Sequence, residues 1–282
     1  MEKPRNHSND NTSCKGGWVR RLALMLGTGL LAVSSPLMHL RAQAQVGLSP
    51  LVIHTEFEQG QAQGVISVRN ASNEPFRARV YAEAFTYDRD TGFQTLPEDS
   101  PGNLVPYLQF SPHELVVPPA TERRIRFVAN VPPSLADREY RAVIFTERLD
   151  AVETIESSDG QAIGVVARVG TTVYARQGNL EFPTFQAHDA VWTAQEKQLR
   201  LLVENSGDIS ARPIANWRLQ QAGVELAQGS VPPWGIIGGS ERYMPLDLPE
   251  SVSLAPGQYQ VSVDFVIGEG IVDSFSVEFT VP

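Results

Sequence analysis

The 282-residue sequence predicts an all-β protein: two immunoglobulin-like β-sandwich domains after a cleaved signal peptide. Three observations carry this. From residue 45 onward the chain is a succession of short runs of alternating apolar and polar residues. These runs are bounded by clusters of Pro, Gly, Asn and Asp, and long helical periodicity is absent. A sandwich takes about 100 residues, so the length accommodates two once a leader of about forty is set aside.

The first 44 residues read as an export signal. Lys15, Arg20 and Arg21 precede an apolar run over residues 22–33, and Ala42-Gln43-Ala44 is a small-residue cleavage pattern, so cleavage is expected after Ala44. Gly27, Gly29, Ser34, Ser35 and Pro36 hold the run below the roughly 20 apolar residues that a spanning helix needs. Arg20-Arg21 admits a twin-arginine route, but the Leu-Ala-Leu that follows is an apolar core beginning early, which fits general secretion better. Cys14 is the only cysteine and lies in this leader, so the exported chain has no disulfide, thiol nucleophile or zinc–thiolate site. The leader carries six basic and two acidic residues, and its removal takes the formal charge from −9 to −13. So acidic a product argues against nucleic acid or an anionic membrane as partner.

Residues 65–69 form the first clear strand, and 70–75, Asn-Ala-Ser-Asn-Glu-Pro, a turn cluster. Residues 76–87 make a long strand with Phe76, Ala78, Val80, Ala82 and Ala84 on one face, and a hairpin-like pair with 65–69 is expected. Strands at 107–110, 115–117 and 124–128 follow, punctuated by Pro112, Pro118, Pro119, Pro132 and Pro133. Residues 140–149 and 163–174 supply two more, joined by a polar loop around residues 157–160. Gln177-Gly178-Asn179 suggests a boundary, giving domains over 45–177 and 178–282. In the second domain the expected strands are 190–192, 199–204, 214–220, 224–228, 242–246, 259–267 and 271–281, about the seven of an immunoglobulin-like sandwich.

No reacting constellation emerges. His54, His113 and His188 remain after the leader but stand far apart, without the close spacing of metal ligands. Asp88-Arg89-Asp90-Thr91-Gly92 echoes a calcium loop but lacks the distal glutamate, and reads as an Asp/Gly turn between strands. Gly238-Gly239-Ser240-Glu241 is a loop and not a nucleophile elbow, because Arg242 stands where a glycine is needed. Acidic pairs such as Asp137 and Glu139 have no partner base. The chain is expected to be no enzyme and to need no cofactor or metal.

Several pieces in order resemble one family. They are Gly47-Leu48-Ser49-Pro50, Val68-Arg69-Asn70-Ala71-Ser72, Phe110-Ser111-Pro112, Pro118-Pro119, Arg124-Ile125-Arg126, Val131-Pro132-Pro133 and Asp137-Arg138-Glu139-Tyr140-Arg141. Further along come Val203-Glu204-Asn205-Ser206-Gly207-Asp208 and Leu254-Ala255-Pro256-Gly257-Gln258-Tyr259. Together they span nearly all of the chain after the leader, and it resembles the periplasmic pilus (fimbrial) assembly chaperones of the PapD-like family. The resemblance implies a periplasmic protein that lends the last strand of its first domain to a pilus or secreted surface subunit, with an outer-membrane usher as a further partner. No nucleic acid and no membrane insertion are implied.

In this sequence the lent strand falls at residues 163–171. Ile163, Val165, Ala167 and Val169 share the face offered to the client, and Val166 faces the protein's own core. Taken without the resemblance, the same run is an ordinary edge strand completing its own domain. The family holds the client's C-terminal carboxylate with an arginine on the first strand and a lysine on the lent one. Here those positions fall at Pro50 or Leu51 and at Thr171 or Thr172, none of them charged. Arg168 or Arg69 is a substitute anchor, with Thr171 and Thr172 as uncharged alternatives. The family's interdomain pair maps onto Glu139 and Arg176. The rival reading, which the missing charges favour, is a structural or adhesive two-sandwich surface protein that lends no strand.

Overall fold

A computed structural model describes residues 46–156 and 162–282, with side chains placed except over 150–165. The leader, Cys14, the cleavage point after Ala44 and the loop around residues 157–160 lie outside the described residues. Gln43–Pro282 forms one compact unit. No helix among the described residues is long and apolar enough to cross a membrane.

The first ten strands are β1 (Val46–Ser49), β2 (Val52–Glu56), β3 (Gln61–Asn70), β4 (Phe76–Asp88), β5 (Gly92–Leu96), β6 (Leu108–Ser111), β7 (Glu114–Val117), β8 (Glu122–Asn130), β9 (Arg138–Glu156) and β10 (Ala162–Gln177). They build a sandwich. One sheet runs β1-β3-β8-β6 and the other β2-β10-β9-β4-β5, with β7 also paired to β4. Every pairing is antiparallel except β2 with β10, which is parallel. Between the sheets lie Ile66, Val68, Phe76, Val80, Ile125, Phe127, Ile144 and Val173. Gly64 admits the Phe127 ring, since a Cβ there would stand 2.5 Å from it.

The expected pairing of 65–69 with 76–87 is wrong: β3 and β4 belong to opposite sheets. The segment between them crosses the edge of the sandwich, held by the fully buried Asn70. Its Nδ2 donates to the Glu74 and Val117 carbonyls (2.7 and 3.0 Å), and its Oδ1 accepts from Ser72 N (2.9 Å). A hairpin and a crossing carry the same turn residues, so local chemistry does not separate them.

The remaining strands are β11 (Phe185–Thr193), β12 (Gln198–Asn205), β13 (Ile214–Gln221), β14 (Val224–Val231), β15 (Ser240–Leu246), β16 (Gly257–Ile267) and β17 (Gly270–Val281). They make a second sandwich of β11-β12-β15 against β14-β13-β16-β17, around Leu199, Leu201, Val203, Trp217, Leu219 and Phe265. Each strand expected from the sequence falls within one of these seven. The buried Asn205 repeats the role of Asn70, with Nδ2 to the Ile209 carbonyl (2.9 Å) and Oδ1 accepting from Gly207 N (3.2 Å). Both sandwiches also carry a buried tyrosine whose hydroxyl donates to a carbonyl four residues upstream. These are Tyr140 to Ala136 (2.9 Å) and Tyr259 to Ala255 (2.8 Å), the tyrosine corner of immunoglobulin-like folds.

Candidate functional site

β10 changes character along its length. Residues 172–176 are paired on both edges, with β2 (Thr172 opposite Val52 through Arg176 opposite Glu56) and with β9. Thr171, Thr172, Val173, Tyr174 and Ala175 are all buried. Residues 162–171 have β9 on one side and, among the described residues, no ladder partner on the other. An unpaired row of N–H and C=O groups is a template for an added strand.

The β9 partnership is interrupted between Val166, opposite Val152, and Arg168, opposite Glu147, so that residues 148–151 bulge against Ala167. Such bulges twist an edge and discourage unselective pairing.

The strand's two faces are set by their contacts. Val173 and Ala175 sit in the core between the sheets, so by alternation Ala167, Val169 and Thr171 point the same way. Val169 is half-buried and Ala167 exposed. Ile163 and Val165 are in the strand, but their side chains lie outside the described residues. Arg168 and Tyr174 share the outer face, where Arg168 stands 4.2 Å over the Phe145 ring. Val166 lies on that outer side and is 48% exposed, which corrects the expectation that it packs in the protein's own core.

The anchor candidates divide in the same way. The buried Thr171 hydroxyl donates to the Pro50 carbonyl (2.9 Å), and that of Thr172 lies 3.4 Å from the Leu51 carbonyl. Both hydroxyls face the crossover between β1 and β2. Leu51 is 53% exposed and uncharged. Arg69, on β3 opposite Glu122, belongs to the other sheet. Arg168 keeps a partly exposed guanidinium. It donates to the Tyr81 hydroxyl (3.1 Å) and stands 3.9 Å from Glu83. Tyr81 in turn donates to Glu147 (2.8 Å), which also receives Arg79 (2.9 Å).

Glu139 and Arg176 are cross-strand neighbours on β9 and β10, with Arg176 Nε 3.8 Å from Glu139 Oε2. Both belong to the first sandwich, so the pair itself joins no domains. The link is made by Glu139, 3% exposed, whose Oε2 accepts the Ser210 N–H of the second sandwich at 3.1 Å. Burial pushes the Glu139 carboxyl up from its ordinary value, opposed by Ser210 and by the guanidiniums of Arg141 and Arg176.

A second contact between the sandwiches was not anticipated. Phe85, Val143, Phe145 and Tyr174 form an apolar cluster on the outer face of the β10-β9-β4 sheet, closed by Ile237 of the second sandwich. His54 stacks on Tyr174 at 4.9 Å. Gly235 lets the Tyr87 ring lie against the second sandwich, since a Cβ there would stand 2.8 Å from it. At the β4–β5 turn the Arg89 carbonyl accepts the Tyr243 N–H (3.0 Å), and the Arg89 side chain reaches Glu241 (3.1 Å). A partial signal was present in β4, whose second face carries Arg77, Arg79 and Glu83 but is aromatic at Tyr81, Phe85 and Tyr87.

Asp88 Oδ1 is occupied by Asp90 N, Thr91 N and the Thr91 hydroxyl, consistent with a turn and not a calcium loop. His113 packs edge-on to Phe110, and His188 pairs with Glu204.

No protein-family model and no curated protein matches the chain. Among solved structures it is similar to the YadV chaperone (10% identity, TM-score 0.47, 84% of this chain and 100% of that one). It is also similar to the CsuC–CsuE chaperone–tip adhesion subunit complex of Acinetobacter baumannii Csu pili (13%, 0.45, 83% and 98%). A third is the Salmonella enterica SafA pilin with the SafB chaperone (14%, 0.43, 82% and 95%). Each of the three is matched at low identity and over about four-fifths of this chain.

Proposed function

We propose that the chain is a periplasmic chaperone, or a chaperone-like accessory protein, that binds pilus or secreted surface subunits by lending them residues 162–171 of β10. One observation carries the reading: among the described residues this half of β10 has a partner strand on one edge only, while the half that follows is paired on both. A subunit sandwich short of one strand exposes an apolar groove and two unpaired edges. An added strand satisfies the edges, and its alternate side chains, Ile163, Val165, Ala167 and Val169, fill the groove. Arg168 is the cation nearest the strand's exposed part for a client carboxylate. The order of family-like motifs supports the same reading, as does an export signal ending at Ala44. The function is binding, not catalysis, and an outer-membrane usher is the expected further partner.

A second reading, a structural or adhesive two-sandwich surface protein, is favoured by one observation. Thr171 and Thr172, where the family keeps a lysine, donate to the protein's own backbone.

The two are separated by co-expressing the chain with sandwich subunits encoded beside it and measuring amide exchange across β10. The chaperone reading expects a stable complex in which the amides of 162–171 become protected. A complex that leaves those amides exchanging as in the free chain, or no complex with any such subunit, sinks it.

A further inference from the structure

Between the β4–β5 turn of the first sandwich and β12 and β15 of the second lies a cavity of about 180 Å³, lined by three arginines, Arg89, Arg200 and Arg242, and one acid, Asp90. Each guanidinium lies against an aromatic ring. Arg242 is 4.3 Å from the Trp234 ring and 4.4 Å from that of Tyr87, and Arg200 is 4.7 Å from Tyr243, which Arg89 approaches at 5.8 Å. A guanidinium held by its face keeps its N–H edges for other partners.

Those edges are incompletely used. Arg89 is neutralised by Asp90 and Glu241. Arg242 is 8% exposed and donates Nη1 to the Gly235 carbonyl (2.8 Å), but among the described residues neither it nor Arg200 has a carboxylate within ion-pair distance. Arg200 Nε and Trp234 Nε1, both buried, have no hydrogen-bond partner. Burial, with Arg212 nearby, pushes the Arg242 guanidinium below its ordinary value. Two cations without a carboxylate, the buried Arg242 and the half-buried Arg200, around one cavity repel each other, and an anion held between them relieves that repulsion. The surplus is local, since the chain as a whole is acidic.

We propose that this cavity is an oxyanion site in which Arg200 and Arg242 hold a carboxylate or phosphate group between the two sandwiches. Bound there, the anion touches residues of both sandwiches and fixes their relative orientation. The site shares no residue with the 162–171 segment of β10, so it stands or falls independently of strand donation.

The test is a titration of the full chain with inorganic phosphate and, separately, acetate, against chloride at constant ionic strength. It is followed by the indole N–H resonance of Trp234 and by the melting temperature. A saturable shift of that resonance with a Kd of about 1 mM or tighter is expected, together with a rise in melting temperature. Arg200→Gln is expected to weaken the shift about tenfold or more, and Arg218→Gln, at an exposed arginine on β13, to leave it unchanged. Arg200 is the chosen target because Arg242 is packed between two rings and its loss would disturb folding. A response to phosphate alone supports the site as a phosphate site, and a response to acetate supports it as a carboxylate site. The proposal is overturned if neither anion gives a saturable shift, or if the shift persists unchanged in Arg200→Gln.

Discussion

Glu139 reaches out of the first sandwich to accept the backbone N–H of Ser210 in the second, at 3.1 Å, while Arg176 faces it from the neighbouring strand. A carboxylate buried this deeply, with Arg141 Nη1 3.8 Å from its other oxygen, is the hub of a charged group of the first sandwich to which the second adds one backbone donor. Its contribution lies more in orientation than in net stability, because desolvation offsets much of the Coulomb attraction.

Removing it without replacement is the sharper experiment. Glu139→Ala leaves Arg141 and Arg176 without their shared carboxylate and Ser210 N–H without an acceptor, a loss of about 3–5 kcal/mol. Glu139→Gln keeps an acceptor for Ser210 and is expected to lose less. Urea denaturation measures both. Equal midpoints for Glu139→Ala and the parent would show that the carboxylate links nothing.

Thr171→Val removes the hydroxyl that donates to the Pro50 carbonyl and keeps the side chain's shape. The expected loss is about 1–2 kcal/mol of stability, with client capture otherwise intact. A variant that folds with parental stability yet loses the client would show Thr171 to be an anchor.

The faces of β10 predict different effects for substitutions on its two sides. Val166→Glu, on the exposed outer side, is expected to change stability by no more than about 0.5 kcal/mol. Val169→Glu puts a charge on the face offered to the client and is expected to weaken subunit capture about tenfold or more, since a buried valine is worth roughly 1.5–3 kcal/mol. Retention of a co-expressed subunit, measured beside the melting temperature, separates the two. Equal retention by both variants would remove the assigned faces.

His54 predicts a pH dependence. Desolvation beside Tyr174, then Arg176 and Arg212, hold its imidazole below the ordinary value of 6.5. Above that value it is neutral both folded and unfolded. As pH falls through it, the unfolded chain takes up the proton first, so stability declines until the folded pKa is passed. His54→Phe keeps a ring against Tyr174 and abolishes this component. The difference in urea midpoint between His54→Phe and the parent is therefore expected to grow in the variant's favour from pH 7.5 to pH 5. A difference independent of pH refutes it.

Much of the architecture is legible without coordinates. In the second sandwich each expected strand falls within an observed one, because alternation and turn residues are local properties. The first two strands were not legible. β1 and β2 are four and five residues long and separated at Pro50, too short to show a period. The run from Phe76 shows which residues of β4 face the core, yet the residues before it do not say which sheet they join.

By itself the sequence determined the strand count of the second sandwich, the positions of its turns, the turn cluster at residues 70–75 and the alternating run in β10. Only the tertiary structure decided that β3 and β4 part company, that Val166 looks outward, that Thr171 and Thr172 are already engaged, and that Arg200 and Arg242 line one cavity. The physical reason is range. Alternation and turn chemistry depend on residues within a few positions of each other, whereas a partner for Glu139 lies 71 residues away at Ser210 and an edge is free only if no other strand reaches it.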